Sequence, residues 1–317
     1  MRLNLHLLRV FHHVAREGSF SEAARQLCIS QPAVSKAVSE LERQLDTMLI
    51  ERTRVKKTGP SLALTDAGLA LNAHARAIFS LEHAAIEDLQ ARSGLKRGEL
   101  IIGASTTIAS YWLPRYLQSF SRLWPDIVLK IVAANTQTIV EDLYDCRLDM
   151  ALVEGPVQKE GVAYYPWKEE RLVIVAPPGF FHTQPEAVIA ELRPVASAQK
   201  TLRVSERDLC DSTWLMRETG SGTREVVLDL LERQGMQPRR TIEIGSNEGI
   251  ARGVAAGLGV AMLPFAVVED LLLLGRLIEL HIDGMPGLSR SLYRLERKDR
   301  PTSRVVGAFL DVLSRPA

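Results

Sequence analysis

The sequence predicts an α/β protein in two unlike parts. An all-α winged helix-turn-helix and one long helix come first, and a larger region of alternating strands and helices follows. Three observations carry this. Over roughly the first ninety residues apolar positions recur at helical spacing, broken once by a short hairpin-like stretch. From Leu100 onward, short apolar runs alternate with helical stretches, the arithmetic of βαβ units and hence of a largely parallel sheet. Between the two lies RSGLKRGE, a charged, glycine-containing hinge centred on residues 93–98.

In chain order, Leu7, Phe11 and Val14 form one apolar stripe, which Gly18 ends. Ser19 or Ser21 caps a short helix that turns Ala23, Ala24 and Leu27 inward. Ser30 caps the next, with Pro32 in the first turn, where a missing N–H costs little, and Val34, Val38, Leu41 and Leu45 on the buried side. Residues 49–64 read as two short strands around Thr58-Gly59-Pro60, a hairpin with a basic tip that closes a head domain of residues 1–64. The long helix occupies 65–92. Its positions 64, 67, 71, 75, 78, 82, 85 and 89 are Leu, Ala, Leu, Ala, Ile, Glu, Ala and Leu, a seam suited to pairing two copies of the chain.

Beyond the hinge, strands are expected at 100–103, 128–133, 149–153, 172–176, 213–216, 241–244 and 260–263. Two sheets fit these better than one. The first is expected to end near Trp167, with KEE marking the crossing, and the chain to return to it near 264–269 through strands at 277–280 and 292–295 and a last helix. That places 99–167 and 269–317 in a first lobe and 168–268 in a second.

The chain's 317 residues are enough for a sizeable core in each part. With 46% hydrophobic and 24% charged residues and a formal net charge of +1, a strongly charged partner must be met by a local patch. Met1-Arg2 leads into an amphipathic segment with His6, Arg9, His12 and His13, so no export signal is expected. The longest uncharged run, 253–268, contains Gly257, Gly259 and Pro264 and falls short of the roughly 20 residues that span a bilayer. No membrane partner is expected. Cys28, Cys146 and Cys210 have neither metal-ligand spacing nor a disulfide framework, which suits a reduced, cytoplasmic chain with no metal and no cofactor.

Cys28-Ile29-Ser30 makes the turn of a helix-turn-helix. Behind it, Gln31, Pro32, Ser35, Lys36 and Ser39 cluster on the side opposite the apolar stripe, near the capping Ser30. Such a small, polar helix start can approach base edges closely, with Gln31 suited to adenine and Lys36 to guanine or phosphate. Arg52, Arg54, Lys56 and Lys57 at the hairpin tip add positive charge for phosphates.

The run FHHVAREGSFSEAARQLCISQPAVSKAVSELERQLDTMLIERT, with LALTDAG after it, resembles the N-terminal winged helix-turn-helix of LysR-type transcriptional regulators. The resemblance extends over nearly the whole chain, and GLGVAMLP is also similar to the family's second lobe. It implies a two-lobed effector domain of the periplasmic-binding-protein type, a homodimer or homotetramer on double-stranded promoter DNA, and RNA polymerase as a further partner. GASTTI, LVEGP and GSGTRE resemble the branch with CbbR- and CysL-like members, which respond to phosphorylated metabolites or are tied to sulfur assimilation. Two departures stand out: Cys28 occupies a turn position where many helix-turn-helix proteins place glycine, and residues 182–207 form an unusually long connection.

Two motifs suit a small anionic metabolite. In GASTTIAS, Ser105, Thr106 and Thr107 offer hydroxyls beside the N–H groups of a helix start. In RETGSGTREVV, Gly220 and Gly222 admit close backbone approach, Ser221 and Thr223 donate, and Arg224 supplies charge. Simple helix capping accounts for the same serines and threonines. Asn135, Thr136 and Gln137 follow the second strand and join the candidate lining. Glu154 is left out, because a carboxylate repels an anion unless paired or turned away.

No GxSxG, Walker-type lysine or HExxH is present, so no catalytic residue is expected. Two alternatives stay open: a cytosolic redox-sensing regulator of the same family, or a solute-binding module without a transcriptional role. Cys146 and Cys210 have no strongly basic flank in sequence, which weighs against the first. The second leaves the head domain without a use.

Overall fold

Asn4 starts the first helix, its side chain accepting from the N–H groups of His6 and Leu7. Helix α1 (Leu5–Glu17) ends at Gly18, which takes a φ of 60°, and Ser19 rather than Ser21 caps α2 (Phe20–Gln26). Ser30 caps α3 (Gln31–Leu45), with Pro32 in its first turn. Leu8, Phe11, Val14, Ala23, Val34 and Leu41 are fully buried and meet in one core. In this computed structural model the described residues are 2–51, 62–92, 98–155, 159–181, 201–282 and 287–315.

Helix α4 (Asp66–Arg92) covers that core with the first half of the expected seam. Leu64, Ala67, Leu71, Ala75 and Ile78 pack on the chain's own head-domain cluster, and Glu82 pairs with Arg9 at 2.6 Å. A repeating apolar stripe states that one face is covered; it does not state by what. Polar contacts reinforce the packing. Buried His12 lies 2.8 Å from Asn72 Oδ1, and the Arg9 guanidinium sits 4.4 Å over the Phe79 ring. The base of the expected hairpin is present as an antiparallel bridge between Ile50 and Leu64. Its tip, with Arg52, Arg54, Lys56 and Lys57, lies outside the described residues. The buried Glu42 carboxylate accepts from the N–H groups of Leu49 and Ile50 at 2.8 and 3.2 Å, tying α3 to that base.

The chain divides into two compact units, Met1–Gly98 with Asp299–Gly307, and Glu99–Lys298 with Ala308–Ala317. The second begins with β1 (Gly98–Ser105), a π-helical turn (Ile108–Trp112), α5 (Leu113–Leu123), β2 (Ile127–Ala134), α6 (Thr136–Tyr144) and β3 (Met150–Glu154). There follow β4 (Val162–Ala176), β5 (Thr201–Arg203), α7 (Glu206–Asp211), β6 (Thr213–Met216), α8 (Gly222–Arg233), β7 (Arg240–Glu243) and α9 (Asn247–Ala255). The last elements are β8 (Ala261–Pro264), α10 (Phe265–Leu273), β9 (Ile278–His281), β10 (Ser289–Arg297) and α11 (Arg304–Ser314).

The strands hydrogen-bond in the order β2-β1-β3-β10-β4-β9-β5, with β8 also on β4 and β6-β7 as a separate pair. The sheet is mixed rather than largely parallel, since β10 runs antiparallel to β3 and β4, and β8 and β9 run antiparallel to β4. Strand β4 does not stop near Trp167. It continues through Lys168, Glu169 and Glu170, pairing with β10 along its first part and with β8 and β9 along its second. A charged run inside a strand is tolerated here because buried Glu170 faces Arg290 directly across the ladder. The return to the first lobe is made by β10 and the last helix, whose Phe309 ring packs 5.3 Å from that of Phe120 on α5. Strand β9 stays with the second lobe, on Ile174–Ala176 and β5.

Candidate functional site

On α3 one side is sealed by Val34, Val38 and Leu41, while Ser30, Gln31, Pro32, Lys36 and Ser39 are exposed and Ser35 is half-buried. The reading face expected from sequence is therefore free, and α3 presents it from a fixed core. The turn before it is tight: Cys28 N donates to Arg25 O and Ile29 N to Ala24 O. Cys28 takes a φ of 55°, the left-handed conformation that glycine occupies without strain. Its side chain is exposed. Farther along α3 the polar side chains pair with each other, Arg43 holding Glu40 below the usual carboxylate range through their hydrogen bond.

The three segments expected to line a ligand cleft do converge, from both lobes of the second unit. Ser105, Thr107, Thr136, Ser221 and Thr223 are each at most 2% exposed, so the cleft is closed over them. Gln137 N donates across it to Gly220 O at 3.0 Å, and Thr136 Oγ1 donates to Glu154 O at 3.4 Å. Gly222 is there for space: a Cβ on it would stand 2.0 Å from Glu154 O. Gly220 serves the turn, with a φ of 86°.

Individual roles differ from the expectation. Ser105 Oγ accepts from Ile108 N, and Asn135 caps α6 by accepting from Thr138 N. Ser221 precedes α8 but makes no side-chain cap bond. Arg224 is turned toward Arg217 O at 2.6 Å and Glu243 at 3.4 Å. The buried cation at this end is Arg217, which donates to Thr106 Oγ1 at 3.4 Å and grips Glu218 through two bonds of 2.7 and 2.8 Å. Burial pushes the Glu218 carboxyl up, and Arg217 outweighs it, holding the group below the usual carboxylate range.

A buried ionic floor joins the lobes. Arg290 on β10 places Nε and Nη2 on Glu170 at 2.7 and 2.6 Å and Nη1 on Thr223 at 2.7 Å, with Glu154 Oε1 at 3.6 Å. Trp112 Nε1 donates to the other Glu170 oxygen at 2.6 Å, and Thr223 donates to Glu154 Oε1 at 2.9 Å. Asn247 then reaches back to Thr107 at 2.7 Å. Glu154 is thus paired, the condition under which it is compatible with an anion nearby. Arg290 and Asn247 carry no local motif and were not legible as site residues. Among the cysteines, Cys146 has a basic neighbour after all: Arg297 Nη1 lies 2.8 Å from its Sγ, brought there by β10 from far along the chain. Among the described residues no group of His, Cys, Asp and Glu could hold a metal ion, and no helix is long and apolar enough to cross a membrane.

An exposed helix-turn-helix face and a two-lobed unit with a polar, buried cleft define a ligand-responsive DNA-binding protein. Residues 5–69 match the family model for the bacterial regulatory helix-turn-helix protein, lysR family, and residues 93–316 match the LysR substrate binding domain. The chain belongs to the LysR family of DNA-binding transcriptional regulators with an effector-binding domain. It is 33% identical to the transcriptional regulator CbbR of Rhodospirillum rubrum, over 98% of this chain and 97% of that one. A full-length OxyR variant from Pseudomonas aeruginosa aligns over 99% and 95% of the two chains at 25% identity, with a TM-score of 0.70. The CcmR regulatory domain of Synechocystis, solved in complex with 2-PG, covers 68% of this chain and 96% of its own at 28% identity, with a TM-score of 0.56.

Proposed function

We propose that this regulator reads promoter DNA through Ser30, Gln31, Pro32, Ser35, Lys36 and Ser39, with Arg52, Arg54, Lys56 and Lys57 on the phosphates. A small anionic metabolite held between the lobes controls it. The observation that carries the effector half is the convergence, from opposite lobes, of Ser105–Thr107, Thr136 and Ser221–Thr223 beside buried Arg217. Hydroxyls, helix-start N–H groups and a guanidinium together suit an oxyanion. The 2-PG found in the CcmR domain is an anion of this kind. The protein acts in the cytoplasm as a homo-oligomer, with RNA polymerase as a further partner, and no reaction is assigned to it.

A ligand shifts only an equilibrium whose two states it binds unequally. In this reading the states are lobe arrangements, and the DNA-binding heads of the oligomer report them as a change in spacing or bend. The test is a thermal-shift series on the full chain with phosphate, sulfate and 2-phosphoglycolate, alongside mobility shifts on DNA upstream of its own gene. Stabilisation by one anion, reduced in Arg217→Ala, supports the reading. No stabilisation by any of them overturns it.

A further inference from the structure

The floor of the cleft has a chemistry opposite to its walls. Arg290 has its donors committed to Glu170 and Thr223, and Arg217 has its donors on Glu218 and Thr106. Arg290 Nη2 makes no hydrogen bond but keeps the opposite charge of Glu170 at 2.6 Å, which leaves two acceptors as the floor's other unsatisfied atoms. Glu154 Oε2 and Asn247 Oδ1 make no hydrogen bond, although Glu154 is 1% exposed and Asn247 fully buried. Such orphaned atoms are costly, and a built site is where they persist.

The amide orientation of Asn247 follows from its neighbours. Thr223 has one hydroxyl proton. Arg290 Nη1, 2.7 Å away, can only donate to it, so the proton goes to the Glu154 carboxylate at 2.9 Å. Thr223 must therefore accept from Asn247, which puts Nδ2 toward Thr223 and Thr107 and leaves Oδ1 as the free atom. Both side chains reach the same Thr223 hydroxyl through their other polar atoms, which brings the two orphan-bearing groups to one end of the cleft. Asn247 and Thr223, with Arg217 but not Glu154, line a cavity of about 10 Å³, the room that one water-sized group needs. Two carboxylates share one guanidinium here, so the floor favours a donor or a positive charge over a second anion.

Resting on the effector reading above, we propose that the effector is bifunctional. Its anionic group faces the hydroxyls and Arg217, and its buried end is a hydrogen-bond donor, a hydroxyl or an ammonium, seated between Glu154 and Asn247. The ligand class is a hydroxylated or amino-bearing phosphate rather than a bare oxyanion.

Matched probes separate these chemistries. The full chain is titrated calorimetrically with propyl phosphate against glycerol 3-phosphate, and with ethyl phosphate against phosphoethanolamine. The donor-bearing member of at least one pair is expected to bind about ten-fold tighter than its partner, and the winning pair tells hydroxyl from ammonium. In Glu154→Gln an N–H donor faces the ligand's donor, and the preference is expected to shrink to about two-fold or less. Equal affinity within both pairs means that water fills the position; it overturns this inference and leaves the anion reading standing. A preference undiminished in Glu154→Gln overturns it as well. Binding by none of the four phosphates removes the phosphate reading and this inference with it. The comparison within each pair uses the native chain, so it stands even where the variant fails to fold.

Discussion

The exposed start of α3 and the closed cleft are assembled in opposite ways. The α3 face comes from ten consecutive positions, Ser30 to Ser39, capped by its own first residue and backed by a core that its other side completes. The cleft is drawn from β1, α6, β3, α8, α9 and β10, and its contacts join residues as distant in sequence as Thr107 and Asn247. One site is polar because it meets solvent. The other is polar and buried, so each group in it must find a partner or lose stability. Changes on α3 should therefore alter binding while leaving the fold alone, and changes in the cleft should do both.

The sharpest attempt to break this contrast is Arg290→Met. It strands two buried carboxylates and is expected to lower unfolding stability in urea by about 3–5 kcal/mol; a loss below about 1 kcal/mol would show that solvent reaches the floor and remove the contrast. Next comes Gly222→Ala, whose Cβ has no room against Glu154 O. The strain should cost about 1–3 kcal/mol, read as a lower thermal midpoint. On α3, Lys36→Ala should leave stability within about 0.5 kcal/mol. It should weaken DNA binding with a salt slope shallower by about one, while Gln31→Ala should relax preference at one base pair. A fall in thermal midpoint with either would mean that the face is not free.

Two smaller effects test the frame of the head domain. Cys28→Gly relieves a left-handed residue and should raise stability by about 1 kcal/mol, with DNA binding unchanged under oxidising and reducing conditions. His13 gives a pH dependence. Burial first, then Arg16, lower its pKa from 6.5 to about 4. Above pH 6.5 both folded and unfolded chains carry it neutral, so it adds no slope. As pH falls from 6.5 toward 4 the unfolded chain binds the proton first, and stability declines. His13 is only half-buried, so the slope is shallow. His13→Gln should flatten the midpoint measured between pH 7 and pH 5.

Legibility followed locality. Ser19 and Ser30, Pro32, Gly18 and the apolar stripes of α1 to α3 act within a few residues of themselves, and each does what its neighbours imply. The serines and threonines after β1 and before α8 were visible because strand-to-helix junctions have a composition of their own. The direction of Arg224 was not, because Arg217 O and Glu243 decide it. The stripe on α4 was read as a pairing seam, yet its first half is used by α1 and the head-domain core. Periodicity reports that a face is covered and is silent about the partner.

By itself the sequence determined the class of each part, the register of the helix-turn-helix, and the exposure of Gln31 and Lys36. Those properties follow from spacing along one chain, which helix geometry converts directly into faces. Only the tertiary structure decided that β4 runs unbroken through both lobes, that Arg290 sits between Glu154 and Glu170, and that Asn247 closes onto Thr107. Each depends on strand register and on side chains distant in sequence, where a shift of one residue turns a buried partner to solvent. The acceptor pair at the cleft floor belongs to that second kind of information.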